Sequence, residues 1–336
     1  MAREVATLPQ LLREAGYSTW ALGKWHLGLC STSYWPTSRG FQHFKGFLGG
    51  AANYYTHRTD KQSVPGYDWR REEEVNWQAE GRYSTDLIRD EAVATILGHN
   101  TSQPLFLYLP FQAPHDPLMV DVEYQDIYSD IPSEDRQKYL GMVTAVDQAV
   151  GEVVEALQFS GMYSNTIIVF LSDNGAPVGG WPGIPGYQSQ FGGSNFPLRG
   201  SKLTLWEGGT RVPAFIHAPA LLAPRVEQTM VHVSDWFPTL LTAAGLPVPE
   251  GLDGLDLWPR LRDPLQVSPR QEMLYNIQIF QPSFLPHPNS PWPPVAALRQ
   301  GDWKYIWRTF GYNGWSLPAE MGDSIPYPPP ADVQHK

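Results

Sequence analysis

The sequence predicts an α/β fold, with a mostly parallel central sheet and helices on both of its faces. Three observations carry that prediction. Short apolar segments alternate with segments of helical periodicity, the pattern of strand–helix–strand units. Of the 336 residues, 42% are hydrophobic and 17% charged, which is a globular composition able to fill a large core. Three of the apolar segments run directly into charged or imidazole residues, the arrangement that places chemistry at the carboxyl edge of a parallel sheet.

The elements follow in order. Thr7-Leu8-Pro9-Gln10 has the form of a capping box with proline in the first turn, and Leu8, Leu11, Leu12 and Ala15 then keep helical spacing up to Gly16. "YSTWALG" reads as a strand. "STDLIRDEAVATILG" reads as a helix capped by Ser84 or Thr85 and closed by Gly98. "PLFLYLP" is a short buried strand. "RQKYLGMVTAVDQAVGEVVEALQFSG" is a long helix with Val143, Val146, Val150, Val153, Val154 and Leu157 along one side. "TIIVFLS" and "VPAFIHA" are further strands, and "DWFPTLLTAAG" is a short helix. There is no internal repeat.

The composition changes near residue 282. "QPSFLPHPNSPWPP" and "SIPYPPPADVQHK" are rich in proline, with one strand-like piece, "WKYIW", between them. The expected organisation is a catalytic-type domain over 1–281 and a partial, Pro-rich C-terminal subdomain over 282–336.

The formal charge of -10 argues against a nucleic-acid surface. No run of about 18 apolar residues marks a membrane span. The one cysteine, Cys30, excludes an internal disulfide and a cysteine zinc cluster. Asn100-Thr101-Ser102 is a glycosylation sequon, relevant only in a secretory compartment. "MAREVATLPQLL" lacks the form of a signal peptide, so these residues alone point to the cytosol.

The polar residues at strand ends are the candidates for chemistry. Lys24 and His26 follow "YSTWALG", His115 follows "PLFLYLP", and Asp173 and Asn174 follow "TIIVFLS". Lys202 lies between two Gly-containing stretches that allow close backbone approach. Asp173 and Asn174 are hard oxygen donors that suit Ca²⁺ or Mg²⁺. Lys24, Lys202, His26 and His115 suit a tetrahedral oxyanion such as sulfate or phosphate. Plainer readings stand beside these: Asp-Asn-Gly is turn chemistry, Lys202 a solvated lysine, and His115 a turn cap. His217, His232 and His287 lack such placement and read as structural or surface residues.

"GYSTWALGKWHLG" resembles a signature of the sulfatase family. The similarity continues through "PTSRGFQHFKGFLGGAANYYTH", "PLFLYLPFQAPHDPL", "SDNGAPVGG", "GGSNFPLRGSKLTLWEGGTRVPAFIHAP" and "VHVSDWFPTLLTAAGLPVPEGLDGLDLW". Within the family the resemblance is to the arylsulfatase branch. The resemblance implies an alkaline-phosphatase-like fold and Ca²⁺-dependent cleavage of sulfate esters, on sulfated sugars or glycosaminoglycans. It implies that Asp173 and Asn174 supply part of a Ca²⁺ site and that Lys24 and Lys202 hold the sulfate. It implies that His26 serves the nucleophile and His115 the leaving group. A lysosomal or secreted glycoprotein, modified at Asn100, is expected.

The resemblance also implies residues that these 336 do not contain. Family members carry a cysteine, converted to formylglycine, in Cys-x-Pro-x-Arg upstream of Gly-Lys-Trp-His, together with an Asp-Asp pair on the first strand. Cys30 lies downstream, with Pro36 and Arg39 at the wrong spacing. The expectation is therefore a fragment, from an incomplete gene model or a truncated isoform, that lacks its first strand and the end of its C-terminal subdomain. Its Ca²⁺ site is incomplete and it is inactive as written. The alternatives are a non-catalytic relative that binds sulfated glycans and a phosphate-ester hydrolase of the same superfamily.

Overall fold

A computed structural model describes residues 4–59, 65–178, 192–278, 295–308, 314–318 and 320. The elements are α1 (Leu8–Glu14), β1 (Ser18–Lys24), β2 (His43–Phe47), β3 (Arg70–Arg71), β4 (Glu74–Val75), α2 (Ser84–Leu97), β5 (Leu105–Tyr108), α3 (Val122–Asp126), α4 (Glu134–Phe159), β6 (Ile168–Leu171), α5 (Glu207–Thr210), β7 (Ala214–His217), α6 (Trp236–Ala243), α7 (Trp258–Arg262), β8 (Glu272–Gln278), β9 (Val295–Gln300) and β10 (Trp303–Trp307). The chain divides into two compact units: residues 1–129 with 137–166, and residues 130–136 with 167–336. The two Pro-rich stretches and the expected boundary at 281–282 lie outside the described residues.

The first unit is built on a mixed sheet in the order β4-β3-β2-β1-β5. Its centre is parallel: β1 pairs with β2 on one side and β5 on the other, while β3 and β4 add an antiparallel edge. Alternation along β1 covers both faces. Trp20 and Leu22 pack with Phe47, Leu107 and the Leu87, Ile88 and Ala92 face of α2. Ala21 faces a second cluster with Phe41, Phe44 and Phe106. The Lys45 ammonium pairs with the Glu91 carboxylate, which ties β2 to α2.

Local chemistry explains the helix ends. The Thr7 N–H donates to Gln10 Oε1 at 2.8 Å, the return half of the capping box that the sequence predicts. Helix α2 begins at Ser84 with Tyr83 as its N-cap, and Gly98 closes it. Ser84 does not cap, because its hydroxyl donates to the buried Tyr54 carbonyl at 2.9 Å. Helix α4 corrects another expectation. Its buried residues are Gly141, Met142, Ala145, Ala149, Ala156 and Leu157, while Val143 is exposed. Small residues let this helix sit close to its neighbours, and of the predicted stripe Leu157 is buried and Val146 and Val153 pack half-buried against the core clusters, while Val143 lies outside the contact.

In the second unit β6 and β7 form an antiparallel pair, with Ile168 opposite His217 and Leu171 opposite Ala214. The strand after Thr166 therefore does not lie in the same described sheet as β1 and β5, a departure from the single set of parallel neighbours that the sequence suggests. Leu257, Trp258 and Leu261 pack with Ile167, Ile216, Leu222 and Ala243. Asp235 is fully buried and takes two guanidinium hydrogen bonds from Arg270, at 2.6 Å and 2.5 Å. It also accepts from the His232 and Leu255 N–H groups. Strands β8, β9 and β10 form an antiparallel sheet in the order β10-β9-β8, and only β10 was legible in the sequence. Glu207 on α5 binds Arg299 at 3.2 Å and Lys304 at 2.7 Å, fastening α5 to this sheet.

Candidate active site

In the first unit the end of β1 is held from both sides. Lys24 N–H donates to the Pro110 carbonyl beyond β5 at 2.8 Å. Trp25 and His26 N–H groups donate to the carbonyls of Phe47, the last residue of β2, and Leu48, just beyond it, at 2.9 Å and 3.1 Å. The strands approach so closely that a Cβ at Gly46, whose φ is 153°, would lie 2.0 Å from the Gly23 carbonyl oxygen. Trp25 is buried, its indole N–H donating to the Tyr34 carbonyl at 2.8 Å. His26, at φ 52°, adopts the left-handed conformation, which few non-glycine residues take. Lys24 is half-buried and His26 exposed.

His115 lies beyond β5 in a tightly bonded turn, between the cis peptides Ala113–Pro114 and Asp116–Pro117. Its N–H donates to the Gln112 carbonyl at 2.9 Å. Its Nδ1 is 2.8 Å from the Asp116 carbonyl and 3.1 Å from Asp116 Oδ1. Both are acceptors, so Nδ1 carries the proton, and in the neutral ring the lone pair is on Nε2. The His115 carbonyl accepts the Tyr54 hydroxyl at 2.8 Å. Burial pushes the Tyr54 phenol well above its ordinary pKa, so it stays a donor. Structure thus brings Lys24, His26 and His115 onto the carboxyl ends of two paired strands, as the sequence predicts.

In the second unit Asp173 is exposed and Asn174 half-buried, just beyond β6. Asn174 Nδ2 donates to the Gly175 carbonyl at 3.1 Å, which assigns its Oδ1 the role of available acceptor. The Lys202 N–H donates to the Ala176 carbonyl at 3.0 Å, so the Lys202 segment is bonded to the loop that carries Asp173 and Asn174. Asn195 laces this region further: its Oδ1 accepts from the Ala176 N–H at 2.8 Å, and its Nδ2 donates to the Ala176 and Gly200 carbonyls. Asp173 and Asn174 offer oxygen only, which fits a hard dication, though two ligands make up a minority of the six to eight oxygens Ca²⁺ takes. Among the described residues no group of three or more His, Cys, Asp or Glu could hold a metal.

Cys30 is exposed and outside a Cys-x-Pro-x-Arg stretch, so it does not fit the formylglycine position. Asn100 is exposed, and its Oδ1 accepts from the Ser102 hydroxyl at 2.8 Å. His232 accepts the Ser234 N–H at the start of a short turn, a structural role. His287 lies outside the described residues. Sequence reasoning missed Tyr54, Gln112, Asp68 and Asn195, which support the site through hydrogen bonds to backbone. A uncharged or distant partner of main-chain groups leaves no spacing signal.

A sulfatase family model matches residues 1–246, and the chain belongs to the sulfatase family. It is 38% identical to arylsulfatase J of Mus musculus over 335 residues, covering 96% of this chain and 54% of that protein. It is 32% identical to N-acetylgalactosamine-6-sulfatase of Rattus norvegicus, covering 76% of this chain and 48% of that protein. The chain therefore spans about half the length of these relatives. The crystal structure of Ps i-CgsB in complex with k-i-k-neocarrahexaose superposes with a TM-score of 0.73 at 32% identity, over 92% of this chain and 68% of that one.

Proposed function

We propose that these residues form the sulfate-recognition and proton-transfer part of a sulfate ester hydrolase acting on sulfated sugars. The observation that carries this reading is the clamped end of β1. Three backbone hydrogen bonds fix Lys24, Trp25 and His26 between the end of β2 and the segment after β5, within a chain of the sulfatase family. Fixed donors are what an anionic ester needs, because charge stabilisation works best when the donors do not have to reorganise.

In the proposed reaction Lys24 and Lys202 hold sulfate oxygens. His26 orients or deprotonates the nucleophile. His115, in its doubly protonated form with Nδ1–H committed to Asp116, delivers its Nε2 proton to the departing ester oxygen and is left as the neutral Nδ1–H ring. Asp173 and Asn174 are the ligands this chain contributes to Ca²⁺, which when bound supplies positive charge beside the anionic ester. The site is proposed to serve sulfated sugars or glycosaminoglycans in a lysosomal or secreted glycoprotein carrying its glycan on Asn100. No helix of the described residues is long and apolar enough to cross a membrane.

A second reading has its own support. The 336 residues include the sulfate-holding side chains but no Cys-x-Pro-x-Arg stretch, which favours binding of sulfated glycans without turnover by this polypeptide. Calorimetry with an aryl sulfate, with and without Ca²⁺, tests the shared core of both. Lys24→Ala and Lys202→Ala are each expected to weaken binding by about 1.5–3 kcal/mol, the worth of a hydrogen bond to a charged group. Unchanged affinity in both variants would remove the sulfate role. Sulfate released above blank by the 336-residue polypeptide would overturn the prediction that it does not turn over.

A further inference from the structure

His26 and His115 lie on separate loops, and one segment touches both. The Leu48 carbonyl accepts the His26 N–H at 3.1 Å. The Asp68 carboxylate fixes that turn, since Oδ1 accepts from the Leu48 N–H at 3.0 Å and Oδ2 from the Gly49 N–H at 2.7 Å. At the next residue, Gly50, a Cβ would lie 2.6 Å from His26 Cε1, 2.7 Å from Nε2 and 3.1 Å from Nδ1. The main chain of Gly50 therefore lies against the imidazole, with no space for a side chain.

Further along, Ala52 exchanges two hydrogen bonds with the buried Gln112 amide. Its N–H donates to Oε1 at 3.2 Å, and its carbonyl accepts from Nε2 at 2.6 Å. Tyr54, fully buried, donates its hydroxyl to the His115 carbonyl at 2.8 Å. Gln112 is bonded to His115 in turn, through the His115 N–H and the Gln112 carbonyl.

We propose that residues 48–54, anchored by Asp68, are one positioning element for both imidazoles: Gly50 sets the orientation of the His26 ring, and Gln112 and Tyr54 set the placement of His115. The significance for turnover rests on the proposed roles of the two histidines, but the positioning itself does not. Gly50 and Asp68 act through His26, and Tyr54 and Gln112 through His115, as positioning residues.

The test is two-dimensional NMR of the 336-residue chain labelled with ¹⁵N in its histidine rings, with signals assigned by His26→Gln and His115→Gln. Gly50→Ala is expected to shift the His26 ring signals and leave those of His99 and His232 in place. Tyr54→Phe is expected to shift the His115 signals and spare His26. Asp68→Asn retains size but loses one acceptor, and is expected to move His26 in the same direction as Gly50→Ala by a smaller amount. The proposal is overturned if both Gly50→Ala and Asp68→Asn leave His26 unmoved, or if every histidine shifts alike. Should Gly50→Ala fail to fold, Asp68→Asn decides the His26 half and Tyr54→Phe the His115 half by the same criteria. The readout needs no turnover. Aryl-sulfate binding indifferent to Lys24→Ala and Lys202→Ala would defeat the functional reading while leaving this inference intact.

Discussion

At the scale of single residues, His115 makes the most specific chemical statement. Two acceptors of Asp116, its carbonyl and its carboxylate, lie within reach of Nδ1. The neutral ring is therefore expected as the Nδ1–H tautomer, which leaves Nε2 to handle the proton of a leaving group. Ring ¹⁵N chemical shifts above the histidine pKa check this directly. A dominant Nε2–H form would contradict it and remove the geometric basis for assigning His115 to the leaving group. Lys24, His26, His115, Asp173, Asn174 and Lys202 were all legible in the sequence, because each is a chemically distinctive residue directly beyond an apolar strand or beside a Gly-containing loop. Asp68, Gln112 and Tyr54 were not. They hold main-chain groups on segments distant in sequence, so only folding reveals their partners.

At the scale of elements, two ion-pair networks brace the second unit and respond differently to change. Asp235 is fully buried and satisfied by Arg270 and two backbone N–H groups. Arg270→Met would strand a buried carboxylate, with an expected loss of about 3–5 kcal/mol. Chemical denaturation would show it as a fall in the midpoint, and a change under about 1 kcal/mol would contradict the assignment.

Glu227 behaves otherwise. Although its partial burial opposes ionisation, hydrogen bonds from Thr229, Arg260 and Arg225 prevail and hold its carboxyl at about 2. A carboxyl depressed in the folded state contributes stability above its unfolded value of 4.5 and loses that contribution as pH falls toward about 2. The denaturation midpoint of Glu227→Gln is therefore expected to lie below that of the parent at neutral pH, with the gap closing between about pH 4.5 and 2. A gap that persists unchanged at pH 2 would exclude the ionised carboxylate as its source. The network stays intact at the mildly acidic pH of the compartment proposed for the protein, since its loss begins lower.

Elements were unevenly legible. Helices α1, α2, α4 and α6 and strands β1, β5, β6, β7 and β10 announced themselves through period, caps and apolar runs. Strand β2 did not: "HFKGF" is short, carries a lysine and a histidine, and is a strand because β1 and β3 flank it. Strands β8 and β9 were hidden for a similar reason. "EMLYNIQ" and "VAALRQ" carry little β-branched content, and antiparallel pairing, of β8 with β9 and of β9 with β10, decides their state. In α4 the fully buried positions include glycine and alanines that the valine stripe did not mark, while Leu157, Val146 and Val153 of that stripe do face the core.

At the scale of the whole molecule, the chain is a member of the sulfatase family. The family model spans residues 1–246, while relatives are matched over about half of their length. The central claim is that the strand-end lysines and histidines serve sulfate ester cleavage. The most direct test is anion release, read by ion chromatography, when the protein translated from the complete transcript is given an aryl sulfate and the matching aryl phosphate with Ca²⁺. The account predicts sulfate release that is abolished by Ca²⁺ chelation and reduced at least tenfold in Lys202→Ala, as expected for a fixed cationic donor at an anionic transition state. Phosphate release without sulfate, or sulfate release indifferent to Lys202, would contradict it.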